Sequence, residues 1–320
     1  MKHSNTPVIP KEKFRTSVGG QALMEGVMMR GPGRLCCAVR RADGEIETKE
    51  EELPPKKWYE TVPLVRGAFS MIGSMITGYR CLMFSADVAL QDSGEEPEPE
   101  GKLEQWLDAH LGEKAQNILM AGAALTGGVL AILLFSVLPT SVVGLVNKAV
   151  PLGRWSKVVL EAVLKMGLFV LYLGLCSCMK DIHRMFEYHG AEHKTIACYE
   201  AGEELTVENV RKYPRFHPRC GTSFLILTLL VSIAVFSVIP WTGTALRVVY
   251  KILFLPVVMG ISYELLKLCG RTDNWLTRVI RTPGLWVQRL TVFEPDDSMI
   301  ECAIRAVTPV LPENPEEGKW

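Results

Sequence analysis

Apolar positions along this chain gather in four long blocks, and charged positions lie between them. Residues 118–146 form the first block and reach Lys148 before meeting a charge. A hydrocarbon slab of about 30 Å is crossed by about 20 apolar residues in a helix. The block has that length, so a membrane-spanning helix is expected. Residues 222–240 are also free of charge and carry the same expectation. The block at 158–179 carries Glu161 and Lys165 near its start, four residues apart. That spacing lets them pair on one helix face or snorkel to the surface. The last block, 245–266, has Arg247 and Lys251 at one end and Glu264 at the other. The pattern predicts an α-helical polytopic membrane protein with about four transmembrane helices and a small α+β cytoplasmic portion.

Four spans put both chain ends on one side, together with residues 180–221. That segment holds Lys180, Arg184, Lys194, Arg211, Lys212, Arg215 and Arg219. The connection between the first two spans offers only Lys148, Arg154 and Lys157. Basic residues favour the cytoplasmic side, so the central segment and both termini are expected there. The first long apolar run starts after residue 60, so no signal peptide is expected.

Composition sharpens this picture at a few points. The 320 residues are 48% hydrophobic and 22% charged, with 35 basic and 35 acidic side chains. A net charge of zero gives no bulk field toward nucleic acid, and direct DNA binding is not expected. The block distribution excludes an ordinary soluble enzyme. Nine cysteines, an odd number, read as reduced thiols rather than a disulfide framework. The Gly-x4-Gly-Lys-Ser/Thr phosphate loop is absent, so nucleotide binding has no support.

The polar parts divide as follows. Residues 1–17 read as a flexible tail. Residues 18–92 hold a Gly-rich ribbon, a hairpin and an apolar helix with Arg66 and Arg80. The hairpin is predicted from two strand-like runs around Asp43-Gly44. The helix, roughly residues 64–90, reads as interfacial or re-entrant, with a buried soluble helix as the alternative. Gln21, Glu25 and Arg30 are polar groups on the glycine-shaped ribbon, able to cover a site or touch lipid; strands and turns of a small cytoplasmic domain are the plainer reading. Residues 93–101 form an acidic, Pro-rich linker. Residues 102–179 hold an amphipathic segment and the first two spans, 180–221 the polar central segment, and 222–266 the last two spans. In the C-terminal region, 267–308, Asp296, Asp297 or Ser298 caps a helix carrying Met299, Ile300, Ala303, Ile304 and Val307 on one side. Residues 309–320 form a tail.

Chemistry concentrates in the central segment. Four of the six histidines, His183, His189, His193 and His217, fall there. Helical periodicity over Ile182, Phe186, Ile196 and Ala197 predicts a helix continuing from the second span. On it His189 and His193 lie one turn apart, so two imidazoles can take one metal ion. Glu192 sits between them in sequence, and His-x-x-Glu-His is the inverted zinc-hydrolase order. In that chemistry the carboxylate acts as general base. Catalytic zinc needs three protein ligands and structural zinc four. His217-Pro-Arg-Cys220 and the distant Glu264 are the further candidates. Not all five can bind one tetrahedral ion. Lone His183 reads as structural, and Cys176, Cys178 and Cys198 as packing thiols.

Three stretches carry a resemblance. They are Gly-Gly-Gln-Ala-Leu-Met-Glu-Gly-Val-Met-Met-Arg-Gly-Pro at 19–32, His-Gly-Ala-Glu-His-Lys at 189–194 and His-Pro-Arg-Cys-Gly-Thr-Ser-Phe at 217–224. With Glu-Pro-Asp-Asp at 294–297, the chain resembles the YqhQ-like family of bacterial membrane proteins across residues 18–307. The resemblance implies a bacterial inner-membrane location. The family label, a predicted metal-dependent enzyme, implies a metal at His189, His193 and the His217/Cys220 pair.

Two functions follow. In the first, Zn²⁺ held by His189, His193 and one or more of His217, Cys220 and Glu264 serves a hydrolase at the cytoplasmic membrane surface, with Glu192 as base. The bond cleaved would be peptide or lipid-derived. In the second, a closed His/Cys site staples a non-enzymatic scaffold in the lipid bilayer. That scaffold would dock a protein-insertion or secretion complex, or a ribosome. Charges only near span ends argue against an ion path.

Overall fold

The computed structural model describes residues 13–55, 57–93, 114–241, 243–314 and 317–318. The acidic linker and most of the predicted amphipathic segment lie outside the described residues. The fold divides into two compact units. Unit 1 takes residues 1–92, 173–231 and 256–320, and unit 2 takes 93–172 and 232–255.

Unit 1 is built on a four-stranded antiparallel meander, β1 (Gly19–Leu23), β2 (Gly26–Arg30), β3 (Arg34–Arg40) and β4 (Ile46–Glu52), in that order. Side chains alternate across a strand, so β2 and β3 feed two cores. Val27, Met29, Cys36 and Ala38 enter one, with Tyr188, Ile196, Met299, Ile300 and Ala303. Met28, Leu35, Cys37 and Val39 enter the other, with Cys81 and Val88. A sheet covered on both faces needs near-continuous apolar strands, as β2 and β3 are. Edge strand β4 is Glu- and Lys-rich, which discourages further pairing. The expected Asp-Gly turn joins β3 to β4: Gly44 has φ 92°, and Asp43 accepts from the Glu45 amide at 2.9 Å.

One face of the sheet is covered by α1 (Val65–Ser93), through Cys81 and Val88. The C-terminal half of that helix thus packs one side against the sheet, with Met83 and Leu90 still exposed. Its N-terminal half exposes Phe69, Ile72, Met75 and Ile76. Two helices cover the other face: α5 (Lys180–Glu200) and α11 (Asp297–Val307), named in chain order with those introduced below. Asp296 caps α11 by accepting from the Met299 amide at 2.9 Å, as its sequence predicts. Between them run α6 (Val207–Arg211), α9 (Leu255–Arg271) and α10 (Trp275–Thr291).

Long apolar helices make up unit 2 and its flanks: α2 (Lys114–Ile132), α3 (Leu138–Ala149), α4 (Arg154–Ser177), α7 (Gly221–Val238) and α8 (Thr244–Leu253). A π-helical segment, Leu133–Val137, joins α2 to α3. Pro139 has no N–H to return to the preceding turn, which accounts for the local widening. Among the described residues, three helices are long and apolar enough to cross a membrane: Gly122–Ala149, Arg154–Ser177 and Gly221–Val238. The fourth expected span is broken. Helices α8 and α9 meet at Phe254 with a bend of 51°, where Pro256 cannot donate to the preceding turn. Taken together the pair makes up to four spans.

Two sequence expectations are corrected here. The helix of the central segment does not continue from the second span, because Cys178 and Met179 leave helical geometry and Met179 opens α5 in an extended conformation. Charges are not confined to span ends either. Glu161 and Lys165 sit well inside α4, and instead of pairing with each other they reach different partners.

Candidate metal centre

Helix α5 crosses the middle of unit 1 with residues 190–196 buried. Its burial forces the sequence. A Cβ at Gly190 would stand 2.0 Å from the Phe293 carbonyl oxygen, so only glycine lets the 293–295 segment pass. The same crossing seats Lys194 on Glu294.

One turn of α5 separates His189 from His193, and their ring centroids are 4.4 Å apart. Each ring has Nδ1 at a backbone carbonyl: Thr291 at 2.9 Å for His189 and Arg215 at 2.6 Å for His193. A carbonyl only accepts, so both rings carry hydrogen on Nδ1 and leave Nε2 as the atom facing the cluster. His189 Nε2 lies 3.1 Å from Cys220 Sγ, and His193 Nε2 is buried without a hydrogen-bond partner. The ligand atoms of His189, His193 and Cys220 all lie within 4.8 Å of one another. Zinc bonds of about 2.0–2.3 Å imply ligand separations of roughly 3.4 Å, within reach of small side-chain adjustments. A Nδ1–H held by a carbonyl is the usual outer support of a metal-binding imidazole.

Electrostatics favour the deprotonated thiol. Burial pushes the Cys220 thiol up, but the adjacent His189 and His193 rings outweigh it and hold it well below its ordinary value. Thr222 adds its amide at 3.4 Å from the sulfur. Burial opposes charge on His189, yet Cys220 outweighs it and lifts the ring to about 9.

Glu192 Oε1 accepts from the Gly20 amide at 2.9 Å, while Oε2 is buried and unpartnered. Burial pushes this carboxyl above its ordinary value, and the neighbouring imidazoles pull it only part of the way back. The glycine ribbon forms strands β1 and β2 and touches Glu192 through Gly20. A Cβ at Gly20 would lie 3.1 Å from the Glu192 carboxyl carbon and 2.4 Å from the Met28 carbonyl oxygen. Of the ribbon's polar groups, Glu25 binds Arg184 rather than the cluster.

Two predicted ligands lie outside the group. Glu264 is held by Arg66, with 2.7 Å to Nε, and by the Leu64 amide at 3.2 Å. That bond, with the Arg66 Nη2 contact to Oε2, occupies both carboxylate oxygens. His217 is near, 5.5 Å from His193 between ring centroids, but its Nε2 contacts Arg219 at 3.3 Å. The same Nε2 lies 3.5 Å from Glu200 Oε2, so His217 engages the Arg219/Glu200 pair rather than the cluster. Arg219 also binds Glu200, which accepts from the Thr16 amide at 2.7 Å. His183 stacks on Phe293, and Cys198 is a packing thiol pushed up to about 11 by burial.

Sequence reasoning missed Gln288. Fully buried on α10, it accepts from the His217 amide at 2.9 Å and donates to the His217 carbonyl at 2.6 Å, which fixes the turn that delivers Cys220. Only its place in an amphipathic helix marked it, and many glutamines share that.

Among the described residues, fold and cluster define a helical protein with three or four span-length helices and a largely buried His/His/Cys triad of metal-ligand type. The chain belongs to the family described as "Protein of unknown function (DUF1385)", which matches residues 62–313. It is 33% identical over 309 residues to "Uncharacterized protein YqhQ" of Bacillus subtilis (strain 168), covering 94% of each chain. No solved structure matches it.

Proposed function

We propose that His189, His193 and Cys220 hold a zinc ion and that the chain is a metal-dependent hydrolase at the cytoplasmic face of the bacterial inner membrane. The observation that carries this is the pair of imidazoles, each with Nδ1–H on a backbone carbonyl and Nε2 left toward the same cysteine sulfur. Three protein ligands leave one tetrahedral position open, the arrangement of catalytic rather than structural zinc. A closed scaffold site would need a fourth ligand, and His217 Nε2 is engaged with Arg219 and Glu200.

When bound, the ion supplies Lewis acidity toward water and a carbonyl oxygen. The chain supplies the rest. Glu192 Oε2 takes the proton from the attacking water and returns it to the leaving group, and its raised proton affinity suits that exchange. The Gly20 amide holds Oε1, so the carboxylate cannot rotate away. The apolar faces of Gly122–Ala149, Arg154–Ser177 and Gly221–Val238, with Leu125, Val163 and Leu175 outward, support placement in a bilayer. A peptide or lipid-derived bond near that surface is the substrate this placement favours.

Cysteine labelling tests the site without a substrate. Iodoacetamide is expected to modify Cys220 of the full chain only after a chelator removes the ion. Equal labelling before and after chelation would put a reactive thiol there, not a ligand.

A further inference from the structure

Unit 2 contains a second cluster of charges, far more buried than span ends require. Arg247 is 1% exposed, Glu161 5%, Lys251 6% and Lys165 8%. Three cations thus stand with one carboxylate. Burying an ion is costly unless it is paired, so each charge must be followed to its partner.

Arg247 is well served. It donates to Glu161 Oε2 at 3.2 Å and to the Phe236 and Ile239 carbonyls at 2.9 and 3.2 Å. Those carbonyls lie in the last turn of α7 and just beyond it, where the helix end carries partial negative charge. The Trp241 ring faces the guanidinium at 4.4 Å. Lys251 donates to Glu161 Oε1 and to Thr140 Oγ1 at 2.5 Å. Both carboxylate oxygens are then committed, and Lys165 is left over. Its Nζ meets one neutral hydroxyl, Ser232, at 3.3 Å.

These groups surround a cavity of about 10 Å³ lined by Glu161, Lys165, Ser232, Phe236, Arg247 and Lys251. That is room for roughly one water-sized occupant. We propose that unit 2 binds a small anion of halide size in this cavity, with Lys165 as its principal contact. Positive charge in excess of Glu161 selects an anion over a cation. The volume selects a monatomic ion over a lipid phosphate or a carboxylate metabolite. This inference is independent of the zinc reading, since none of these residues belongs to the cluster on α5.

The test uses the purified full chain in detergent, with thermal unfolding followed as chloride replaces gluconate at fixed ionic strength. Binding to the folded state raises the midpoint in a saturable way, here by about 3 °C. The rise is expected in the wild type and in Cys220→Ser alike, and absent in Lys165→Met. Should Lys165→Met fail to fold, saturable broadening of the chlorine-35 resonance by the wild type, reversed by bromide, reads the same site. Coincident midpoints in chloride and gluconate, a rise that Lys165→Met retains, or unbroadened chlorine-35 signals would overturn the proposal.

Discussion

Gly190→Ala is expected to destabilise unit 1 by about 3 kcal/mol, the upper part of the range for forcing extra atoms into a packed core. The Cβ would fall 2.0 Å from the Phe293 carbonyl oxygen and 3.2 Å from Pro295 Cδ. Neither neighbour is a flexible side-chain end, so backbone must move. The segment that must move is also the one whose Thr291 carbonyl orients His189. Loss of stability and of metal affinity should therefore arrive together. The midpoint of thermal unfolding is expected to drop by roughly 6–12 °C. Gly73→Ala is the control: its Cβ meets nothing within 4 Å on an exposed face of α1. Alanine there should stabilise the helix by about 0.5–1 kcal/mol. An unchanged midpoint in Gly190→Ala would contradict the packing described.

The second large effect concerns Arg219. Its guanidinium, 3% exposed, is bound to the buried Glu200, whose carboxylate also receives the Thr16 amide. Arg219→Met strands that charge, and breaking one side of a buried pair costs about 3–5 kcal/mol. Denaturant titration near neutral pH should show it. Burial would raise the Glu200 carboxyl, but the His217 contact and the Arg219 charge outweigh it and hold the group below its ordinary value. A carboxyl depressed in the folded state contributes stability above its unfolded value of about 4.3, and that contribution is lost as pH falls through the folded value. The gap between wild type and Arg219→Met is therefore expected to be full at pH 7 and to shrink below pH ~4. A gap independent of pH would remove Glu200 from the explanation.

Much of the site was legible in local sequence. Helical spacing alone places His189 and His193 on one face, and a His-x-x-Cys turn delivers Cys220. The hairpin at Asp43-Gly44 and the Asp296 cap are legible for the same reason, since a turn residue or a cap acts within a few positions. What was not legible depends on distant chain. The apparent suitability of Glu264 disappears because Arg66, almost 200 residues earlier, takes both its oxygens. His217 shares the motif with Cys220 but turns its Nε2 to Arg219 and Glu200, through a turn geometry that spacing does not encode. The glycine at position 20 looks like turn chemistry in sequence, yet its use is to let a backbone amide reach Glu192 across 172 positions. Lys165 read as a charge near a span end because block boundaries drawn from hydropathy slide by several residues; the helix actually begins at Arg154, which leaves Lys165 deep inside.

The central claim is that two imidazoles and one thiolate on unit 1 grip a metal ion. Elemental analysis of the purified full chain tests it most directly. About one zinc per chain is expected in the wild type and in Glu192→Gln, and essentially none in Cys220→Ser or His193→Ala. Wild-type protein without stoichiometric metal after zinc-supplemented growth, or Cys220→Ser with as much zinc as the wild type, would contradict the account.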